Sequence, residues 1–325
     1  MKVLKKIKDP KKIALYIKWK LDKAGFFNFW NDETYLKFVY RLRMGKRLNL
    51  ANPQSFNEKM QWLKLYDRNP RYSLMVDKYA VKTYVEEMVG PEYIIPTIGV
   101  YDKFEDIDFS QLPNRFVIKC THNSGGVVVV NDKKDIDIKK IEKDFKRMLK
   151  RNFFYAGREW PYKNVPPRII IEENLQDENE KIQINDYKLM CFNGELKCSF
   201  VCSNRNSKQG LCVNFYDEDW LPMPFERHYP RNSVEIEKPS QYEKMVQLAK
   251  ILSKDIPFVR VDFYQKGEQV YFGELTFYPG SGAEEFTPEI WDYKLGQWIN
   301  LSTVSQAHLV EEDRNHSKIG EFYED

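Results

Sequence analysis

The stretch that decides the predicted fold is FVIKCTHNSGGVVVV, residues 116–130. An apolar run rich in β-branched residues ends at Lys119, a small polar turn with Gly125 and Gly126 follows, and four valines close the stretch. This pattern predicts two strands joined by a glycine-containing loop, with an ammonium group at the mouth of the loop. Adjacent glycines let backbone N–H groups approach an anion, so phosphate is the expected ligand. An ordinary hairpin with an exposed lysine fits the same residues equally well.

The composition limits the class of protein. At 325 residues, with 42% hydrophobic and 30% charged residues, the chain is typical of a soluble globular protein with more than one lobe. A net charge of +3 is too small to indicate a nucleic-acid partner, and we expect none. No apolar stretch is long enough to span a membrane, and we expect no signal peptide. The five cysteines lack zinc-ligand spacing, which predicts reduced thiols in a cytoplasmic protein.

The N-terminal segment is strongly basic. Residues 1–24 contain nine lysines and two aspartates, interleaved with apolar residues such as Ile17 and Trp19. Such a segment can contact an anionic membrane surface, which would place the protein peripherally at the inner face of the membrane. It can equally be a solvated helix that packs on the body of the protein.

The periodicity of apolar residues predicts an α+β protein with a helical N-terminal region. Ser55 and Glu58 form a capping box at the start of a helix over residues 55–65. Further helices are predicted over residues 34–47, 73–88, 138–151 and 240–253, and after Pro288. Strands are predicted over residues 115–119, 127–130, 168–172, 187–192, 196–202, 211–215, 259–264 and 270–277. The dipeptide Asn193-Gly194 predicts a hairpin turn.

Two late strands carry paired acids. Alternation puts Arg260, Asp262 and Tyr264 on one face of the first strand, while Glu274 and Thr276 share a face of the second. If the intervening loop has an odd number of residues, both acids point the same way and form an oxygen-ligand site suited to Mg²⁺ and phosphate. With an even loop the acids are simply half-exposed positions of an antiparallel sheet.

A third candidate element is the strand that ends in Glu172 and Glu173. Free backbone groups at a strand end can pair with the edge of adenine, and a nearby acid can bind a ribose hydroxyl. Downstream, Asp186 and Lys188 open the next strand and can project into the same cleft. No Walker A loop or dinucleotide-binding glycine pattern is present, and the four histidines lack metal-ligand spacing.

Several of these motifs, in this order, resemble the ATP-grasp fold, and more closely the TupA-like branch found in bacterial capsule and cell-surface polysaccharide clusters. The motifs are FNEKMQWLK at 56–64, DKY at 77–79, KCTHNSGG at 119–126, DYK at 186–188 and FGELT at 272–276. The resemblance covers about residues 30 to 300. It implies a helical region over residues 1–90, a small subdomain with the lid over 91–175, and a large subdomain with the metal site over 176–325.

The resemblance also implies roles for individual residues. Lys119 and Arg260 would be catalytic, because both would stabilise charge on phosphate. The implied nucleotide-binding residues are Lys78, Lys119, Ser124, Gly125, Gly126, Glu172, Glu173, Asn174, Leu175, Asp186 and Lys188. The implied metal ligands are Asp262, Glu274 and Thr276. The threonine is a departure, because many ATP-grasp enzymes have asparagine there. His122 and residues 280–282 are not general features of the fold and are candidates for contact with the acceptor.

The implied activity is an ATP- and Mg²⁺-dependent ligase. ATP would phosphorylate a carboxylate, on a saccharide or an amino acid, and an amine would attack the acyl phosphate to give an amide. Three alternatives remain open at the level of sequence. They are a glycosyltransferase that uses Asp217 and Asp219 as an Asp-x-Asp motif, a sugar kinase with a reduced metal set, and a scaffold without turnover.

Overall fold

The computed structural model describes residues 9–176, 185–204, 210–305 and 308. The first eight residues of the basic segment, with four of its lysines, lie outside this part of the chain. The helices are α1 Pro10–Lys23, α2 Asp32–Met44, α3 Phe56–Tyr66, α4 Arg71–Val76, α5 Ala80–Val89, α6 Ile138–Leu149, α7 Phe154–Gly157, α8 Tyr242–Leu252 and α9 Ile290–Gln297. The strands are β1 Thr97–Tyr101, β2 Phe116–Cys120, β3 Val128–Val130, β4 Ile169–Glu173, β5 Asp186–Phe192, β6 Glu195–Ser203, β7 Cys212–Tyr216, β8 Glu226–Arg227, β9 Phe258–Lys266, β10 Gln269–Thr276 and β11 Phe286–Thr287.

The strands form two main antiparallel sheets. The first has four strands in the order β1-β4-β2-β3, and the second has five in the order β10-β9-β5-β6-β7. The eight strands predicted from sequence are present, with ends that differ by one or two residues, whereas β1, β8 and β11 were not predicted as strands. The hairpin turn at Asn193-Gly194 is confirmed, because both residues have a positive φ. No helix in the described residues has the length and apolar character needed to cross a bilayer.

The helix α3 begins where the capping box predicts. The Ser55 hydroxyl accepts a hydrogen bond from the Glu58 backbone N–H at 3.2 Å, and the Glu58 carboxylate accepts one from the Ser55 N–H at 3.1 Å. These two bonds satisfy N–H groups that the first turn would otherwise leave unpaired. The capping box therefore fixes the start of α3.

The prediction of one helix over residues 73–88 is wrong, because the chain leaves the helix at Asp77. The Asp77 carboxylate accepts hydrogen bonds from the N–H groups of Tyr79 and Ala80, which starts α5 anew after α4. The second oxygen of Asp77 pairs with the guanidinium of Arg168 at 2.8 Å. The break takes Lys78 out of helical structure, and its ammonium reaches the carbonyl oxygen of Asn123.

Three apolar cores hold the molecule together. The largest joins α3, α4 and α5 to the five-stranded sheet, a second lies between α6 and the four-stranded sheet, and a third lies within the N-terminal helices around Tyr35 and Tyr40. The largest core therefore includes residues from both sides of position 90. The three sequence-derived domain ranges, 1–90, 91–175 and 176–325, stay predictions.

Phe56 tests the link between α3 and the five-stranded sheet. Its side chain is fully buried and meets the ring of Phe258 edge to face, with 5.0 Å between centroids. We expect Phe56→Ala to lower the free energy of unfolding by about 3–5 kcal/mol, because it removes apolar contacts and leaves a cavity. The control is Phe29→Ala, at a ring that is 95% exposed, which should change stability by less than about 0.5 kcal/mol. Urea denaturation measures both, and equal effects would contradict this account.

Candidate active site

The hairpin of β9 and β10 sets the geometry of the paired acids. Its turn contains two residues, Gly267 and Glu268, which is an even number. On an unbroken ladder Glu274 would lie opposite Val261 and face away from Asp262. A bulge between Phe272 and Glu274 shifts the register by one residue, so Glu274 lies directly opposite Asp262. The two acids therefore share a face despite the even turn.

Gly273 permits this bulge. A Cβ atom on that residue would lie 3.1 Å from the carbonyl oxygen of Asp262 and 3.0 Å from the ring of Tyr264. Both distances are tighter than ordinary van der Waals contact, so a larger residue would push the two strands apart. Glycine at this position is the local reason that the carboxylates meet.

The acids belong to a row of charged side chains that crosses three strands. Lys188 on β5 lies opposite Asp262 on β9, which lies opposite Glu274 on β10. Arg260 lies two residues before Asp262 and opposite Thr276, so all five side chains share one face of the sheet. We call Lys188, Arg260, Asp262, Glu274 and Thr276 the charged row.

Ion pairs hold the charged row together. Arg260 donates to both oxygens of Asp262 at 2.6 Å and to Glu274 at 2.9 Å. The Lys188 ammonium lies 2.5 Å from both Asp262 and Asp186. Asp262 is only 1% exposed, so this buried carboxylate is balanced by two cations. The Thr276 hydroxyl donates to Glu274 at 3.1 Å.

The charges in the row shift one another's pKa values. Burial alone would raise the pKa of Glu274, but the cations Arg260, Lys78 and Lys188 outweigh it and lower the pKa to about 2. Burial would lower the pKa of Arg260 and of Lys188, and the neighbouring carboxylates raise both instead. Burial raises the pKa of Asp262, and Arg260 and Lys188 oppose that shift. Glu274, Arg260 and Lys188 are therefore ionised at neutral pH.

A second cluster lies on the four-stranded sheet. Glu172, within β4, is buried and pairs with two lysines, with Lys119 of β2 and with Lys82 of α5 at 2.6 Å. Lys119 and Lys82 lower the pKa of Glu172 against the effect of its burial. Sequence patterns alone do not single out Lys82, because it is one lysine among many and its partner Glu172 lies far away in the chain.

Lys78 lies between the two clusters. Its backbone N–H donates to the carbonyl oxygen of Thr121 at 3.1 Å, and its ammonium donates to the carbonyl oxygen of Asn123. Burial lowers the pKa of Lys78, Glu274 opposes this shift, and Lys119 adds to it. One ammonium group thus interacts with the charged row on one sheet and with Lys119 on the other, so the two clusters face each other.

The glycine-containing loop projects from this cleft. Thr121, His122 and Asn123 are buried, whereas Ser124, Gly125 and Gly126 are exposed. The imidazole of His122 bonds through Nε2 to the carbonyl oxygen of Met148 at 3.1 Å, which ties the base of the loop to α6. Both glycines have a positive φ. The structure thus has a fixed loop base and an exposed tip.

The segment predicted to bind adenine, residues 172–175, contains side chains in different surroundings. Glu172 faces the lysines, whereas Glu173 is exposed and its N–H donates to the carbonyl oxygen of Pro96. The Asn174 amide bonds to the carbonyl oxygen of Val130 and to Asn131, and Leu175 is half-buried. Their contacts with a nucleotide stay a prediction.

The donor set of the charged row suits a magnesium ion. Asp262 and Glu274 provide carboxylate oxygens and Thr276 a hydroxyl, and Mg²⁺ in nucleotide sites takes one or two protein carboxylates together with phosphates and water. Within the described residues no group of three or more His, Cys, Asp or Glu side chains is placed to hold a metal by itself. Such a site would therefore need oxygens from a phosphate to complete the coordination.

Two other features do not form part of this site. Asp217 accepts hydrogen bonds from the N–H groups of Asp219 and Leu221, which closes a local turn. A cavity of about 640 Å³ lies between the strand β3 and the helix α6. Gly126 lines this cavity, but none of the residues of the charged row does.

The candidate site thus lies between two antiparallel sheets, with Lys119 on the four-stranded sheet and the charged row on the five-stranded sheet. The model of the family described as TupA-like ATPgrasp matches residues 58–300, about three quarters of the chain, so the protein belongs to the TupA-like ATP-grasp family. Membership confirms the expected fold class. It also supports the expected ATP-grasp enzyme class, while the cofactors ATP and Mg²⁺ stay predictions.

Solved structures with a similar fold have low sequence identity to this chain. A D-alanine–D-alanine ligase from Bacillus anthracis in complex with ATP is 17% identical over 83% of this chain and 74% of its own, with a TM-score of 0.40. The ligase of the same name from Helicobacter pylori is 18% identical over 78% and 67%, with a TM-score of 0.40. The ATP-grasp ligase PsnB is 10% identical over 68% and 57%, with a TM-score of 0.38. No curated protein matches the chain.

Because the pKa of Glu274 is lowered in the folded protein, the stability of the protein at acid pH tests the charged row. Ionised Glu274 stabilises the fold above its ordinary pKa of 4.5, and this contribution is lost as the pH falls through its folded-state pKa of about 2. We expect Glu274→Gln to lose less than about 1 kcal/mol at pH 7, since the side chain is 42% exposed. The difference from wild type should shrink as the pH falls from 4.5 towards 2.

Urea denaturation at a series of pH values measures this difference, with Glu237→Gln as a control at an exposed carboxylate outside the row. A difference that stays constant down to pH 2 would show that Glu274 is not held ionised by its neighbours.

Proposed function

We propose that this protein is an ATP-dependent carboxylate–amine ligase that acts in the synthesis of a bacterial capsule or surface polysaccharide. The observation that carries the proposal is the cleft in which Lys78, Lys82 and Lys119 face the charged row. Cations on one side suit the phosphates of a nucleotide, and carboxylates on the other side suit the magnesium that accompanies them. The family match supports ATP as the nucleotide.

In the proposed reaction an oxygen of the acceptor carboxylate attacks the γ-phosphorus of ATP, and ADP leaves. The amine then attacks the acyl carbon, phosphate leaves, and an amide forms with loss of a proton. Lys119 and Lys78 would hold the phosphates, and Glu172 would orient the ammonium of Lys119. Arg260 would neutralise charge on the transferred phosphoryl group. The loop tip at Ser124, Gly125 and Gly126 would exclude water from the acyl phosphate.

The metal has a defined role in this scheme. Asp262, Glu274 and Thr276 would hold Mg²⁺, which supplies charge neutralisation of the phosphate oxygens. Asp186 and Lys188 would act through Asp262, since Lys188 pairs with both carboxylates. Glu173, Asn174 and Leu175 would border the adenine.

The acceptor is proposed to be a carboxylate on a saccharide, such as a uronic acid, or an amino acid. This part of the proposal rests on the resemblance to proteins of polysaccharide clusters. The glycosyltransferase alternative has less support, because Asp217 Oδ1 accepts two backbone hydrogen bonds that close a local turn. A kinase would share the nucleotide site and differs only in its product. We propose a cytoplasmic location for the enzyme.

Lys119 provides the first test. Mg-ATP should raise the melting temperature of the wild type, and Lys119→Ala should abolish the shift, because it removes the ammonium group aimed at the phosphates. Lys143→Ala, at an exposed lysine of α6, is the matched control and should keep the shift. Wild-type protein should also form a hydroxamate from a uronic acid, ATP and hydroxylamine, because hydroxylamine traps an acyl phosphate.

Product analysis then separates the alternatives. An amide or hydroxamate with ADP and phosphate supports the ligase, whereas a phosphorylated sugar with ADP alone would show a kinase. Stabilisation by a sugar nucleotide and not by ATP would overturn both.

We further propose that α1 contacts an anionic membrane surface. The helix carries the half-buried Tyr16 and the exposed Trp19 beneath two lysines, with the ammonium of Lys20 5.0 Å from the Tyr16 ring centroid and that of Lys23 3.5 Å from the Trp19 centroid. α1 has no fully buried residue, and Phe29 just beyond it is 95% exposed. Exposed aromatic rings beside lysines match the chemistry of an anionic lipid interface.

Vesicle sedimentation tests this contact. Wild-type protein should bind vesicles of phosphatidylcholine with about 30% phosphatidylglycerol and not vesicles of phosphatidylcholine alone, and high salt should release it. The variant Trp19→Ser, Phe29→Ser should bind about tenfold more weakly. The control variant Leu221→Ser, Val234→Ser removes two exposed apolar side chains elsewhere and should bind like wild type. Equal binding by both variants would rule out α1 as the contact.

A further inference from the structure

A small cavity lies where the N-terminal helices meet the rest of the protein. Its volume is about 40 Å³, which is large enough for one water-sized ion. Its lining includes three cations from three different helices, Lys18 of α1, Arg43 of α2 and Lys64 of α3. Gly157 at the end of α7 and Ser281 in the loop after β10 also line it. Cations that are far apart in the chain thus converge on one small space.

The hydrogen bonds of Lys64 require a charged ammonium group. Its Nζ atom lies 2.9 Å from the carbonyl oxygen of Gly157, 2.8 Å from that of Ser281 and 3.3 Å from Oε1 of Gln61. These three oxygens can only accept, so three N–H donors are needed, whereas a neutral amine has two. Because the protein uses all three donors, Lys64 contributes a positive charge to the cavity and no free N–H group.

The other two cations keep N–H groups that the protein does not use. The Lys18 ammonium pairs with the carboxylate of Asp22 at 2.7 Å, and Arg43 donates through Nη1 to the carbonyl oxygen of Gly280 at 3.2 Å. Among the residues that the structure describes, neither side chain has another hydrogen-bond partner. The side chain of Lys18 is 12% exposed, and Arg43 is half-buried. Both side chains therefore have donors to offer to an anion in the cavity.

The three cations repel one another. Burial lowers the pKa of Lys64 to about 7 and also lowers that of Lys18, and the charge of Arg43 adds to both shifts. The carboxylates that oppose these shifts are Asp22 at Lys18 and Glu159 at Lys64. Three positive charges thus stand against two negative charges. A buried charge without a counter-ion is costly, so one monovalent anion would stabilise the arrangement.

Two neighbouring groups do not remove this excess of positive charge. Arg158 also lowers the pKa of Lys18, but its guanidinium pairs with Asp32 at 3.0 Å and is already balanced. Burial raises the pKa of Glu159. If this carboxylate takes up a proton, the balance becomes more positive. The charge around the cavity therefore stays favourable to an anion.

We propose that this cavity binds a small monovalent anion of the size of chloride, held by the N–H groups of Lys18 and Arg43 and by the charge of Lys64. Because α1, α2, α3, α7 and the loop after β10 all contribute to the lining, the anion joins the N-terminal helices to the rest of the protein. The site is independent of the proposed ligase function, since it shares no residue with the charged row.

Bromide tests the site directly, because its anomalous X-ray scattering locates it in a crystal. In crystals of the full chain soaked in sodium bromide, we expect a bromide peak in the cavity, in contact with Lys18 and Arg43. Lys18→Met should lose the peak. Lys12→Met, at an exposed lysine of the same helix that does not line the cavity, should keep it. A water molecule or an empty cavity in the wild type would overturn the proposal.

Thermal unfolding in two salts separates binding from screening. Sodium chloride and sodium gluconate are compared at equal ionic strength, since gluconate is too large for the cavity. The wild type and Lys12→Met should melt about 2 °C higher in chloride. Lys18→Met and Arg43→Gln should show no difference, because the loss of either cation removes the excess charge. Equal melting temperatures of the wild type in both salts would show at most an adventitious ion and would overturn the proposal, as would an unchanged chloride effect in Lys18→Met.

Hydrogen exchange on the wild type covers the case in which the variants do not fold. The amides of α1 and α2 should exchange about threefold more slowly in chloride than in gluconate, while those of β9 and β10 should not change. Equal slowing in all four elements would indicate a general effect of the salt and would overturn the role of the cavity. Unchanged exchange in α1 and α2 would do the same.

Discussion

The charge balance around Asp262 is the constraint on which the active site depends. A carboxylate that is 1% exposed persists in ionised form only if cations neutralise it, and Arg260 and Lys188 do so from its own strand and from the next. These cations in turn fix the register of β5, β9 and β10, because a shift of one residue would leave buried charges unpaired. The same charged side chains therefore form the candidate site and fix the pairing of the strands.

A second constraint acts across the cleft. Asp77 ends α4 and starts α5, and this break delivers Lys78 to a point between Glu274 and Lys119. Because Lys78 also bonds to residues 121 and 123 at the base of the loop, the same lysine joins the loop to both charge clusters. A continuous helix through residues 73–88 would have turned this side chain along the helix surface.

Local patterns predicted much of the fold. Apolar runs and alternation located every strand of the two main sheets except β1, Ser55 and Glu58 located the start of α3, and Asn193-Gly194 located a hairpin, because each signal arises between residues close in sequence. Local patterns did not identify Lys82 or Lys64, for the opposite reason. Each is one lysine among many, and its role comes from partners far away in the chain, Glu172 for one and Ser281 for the other.

The amino-acid sequence by itself determined the residue types of the site, their order, and the family to which they belong. It also determined that Arg260 and Asp262 share a face, since alternation within one strand requires it. Only the tertiary structure decided that Glu274 joins them. The turn between β9 and β10 is even and predicts the opposite, and the bulge at Gly273 reverses the outcome. A bulge is stabilised by the pairing of whole strands and by the charges that it aligns, neither of which a local pattern contains.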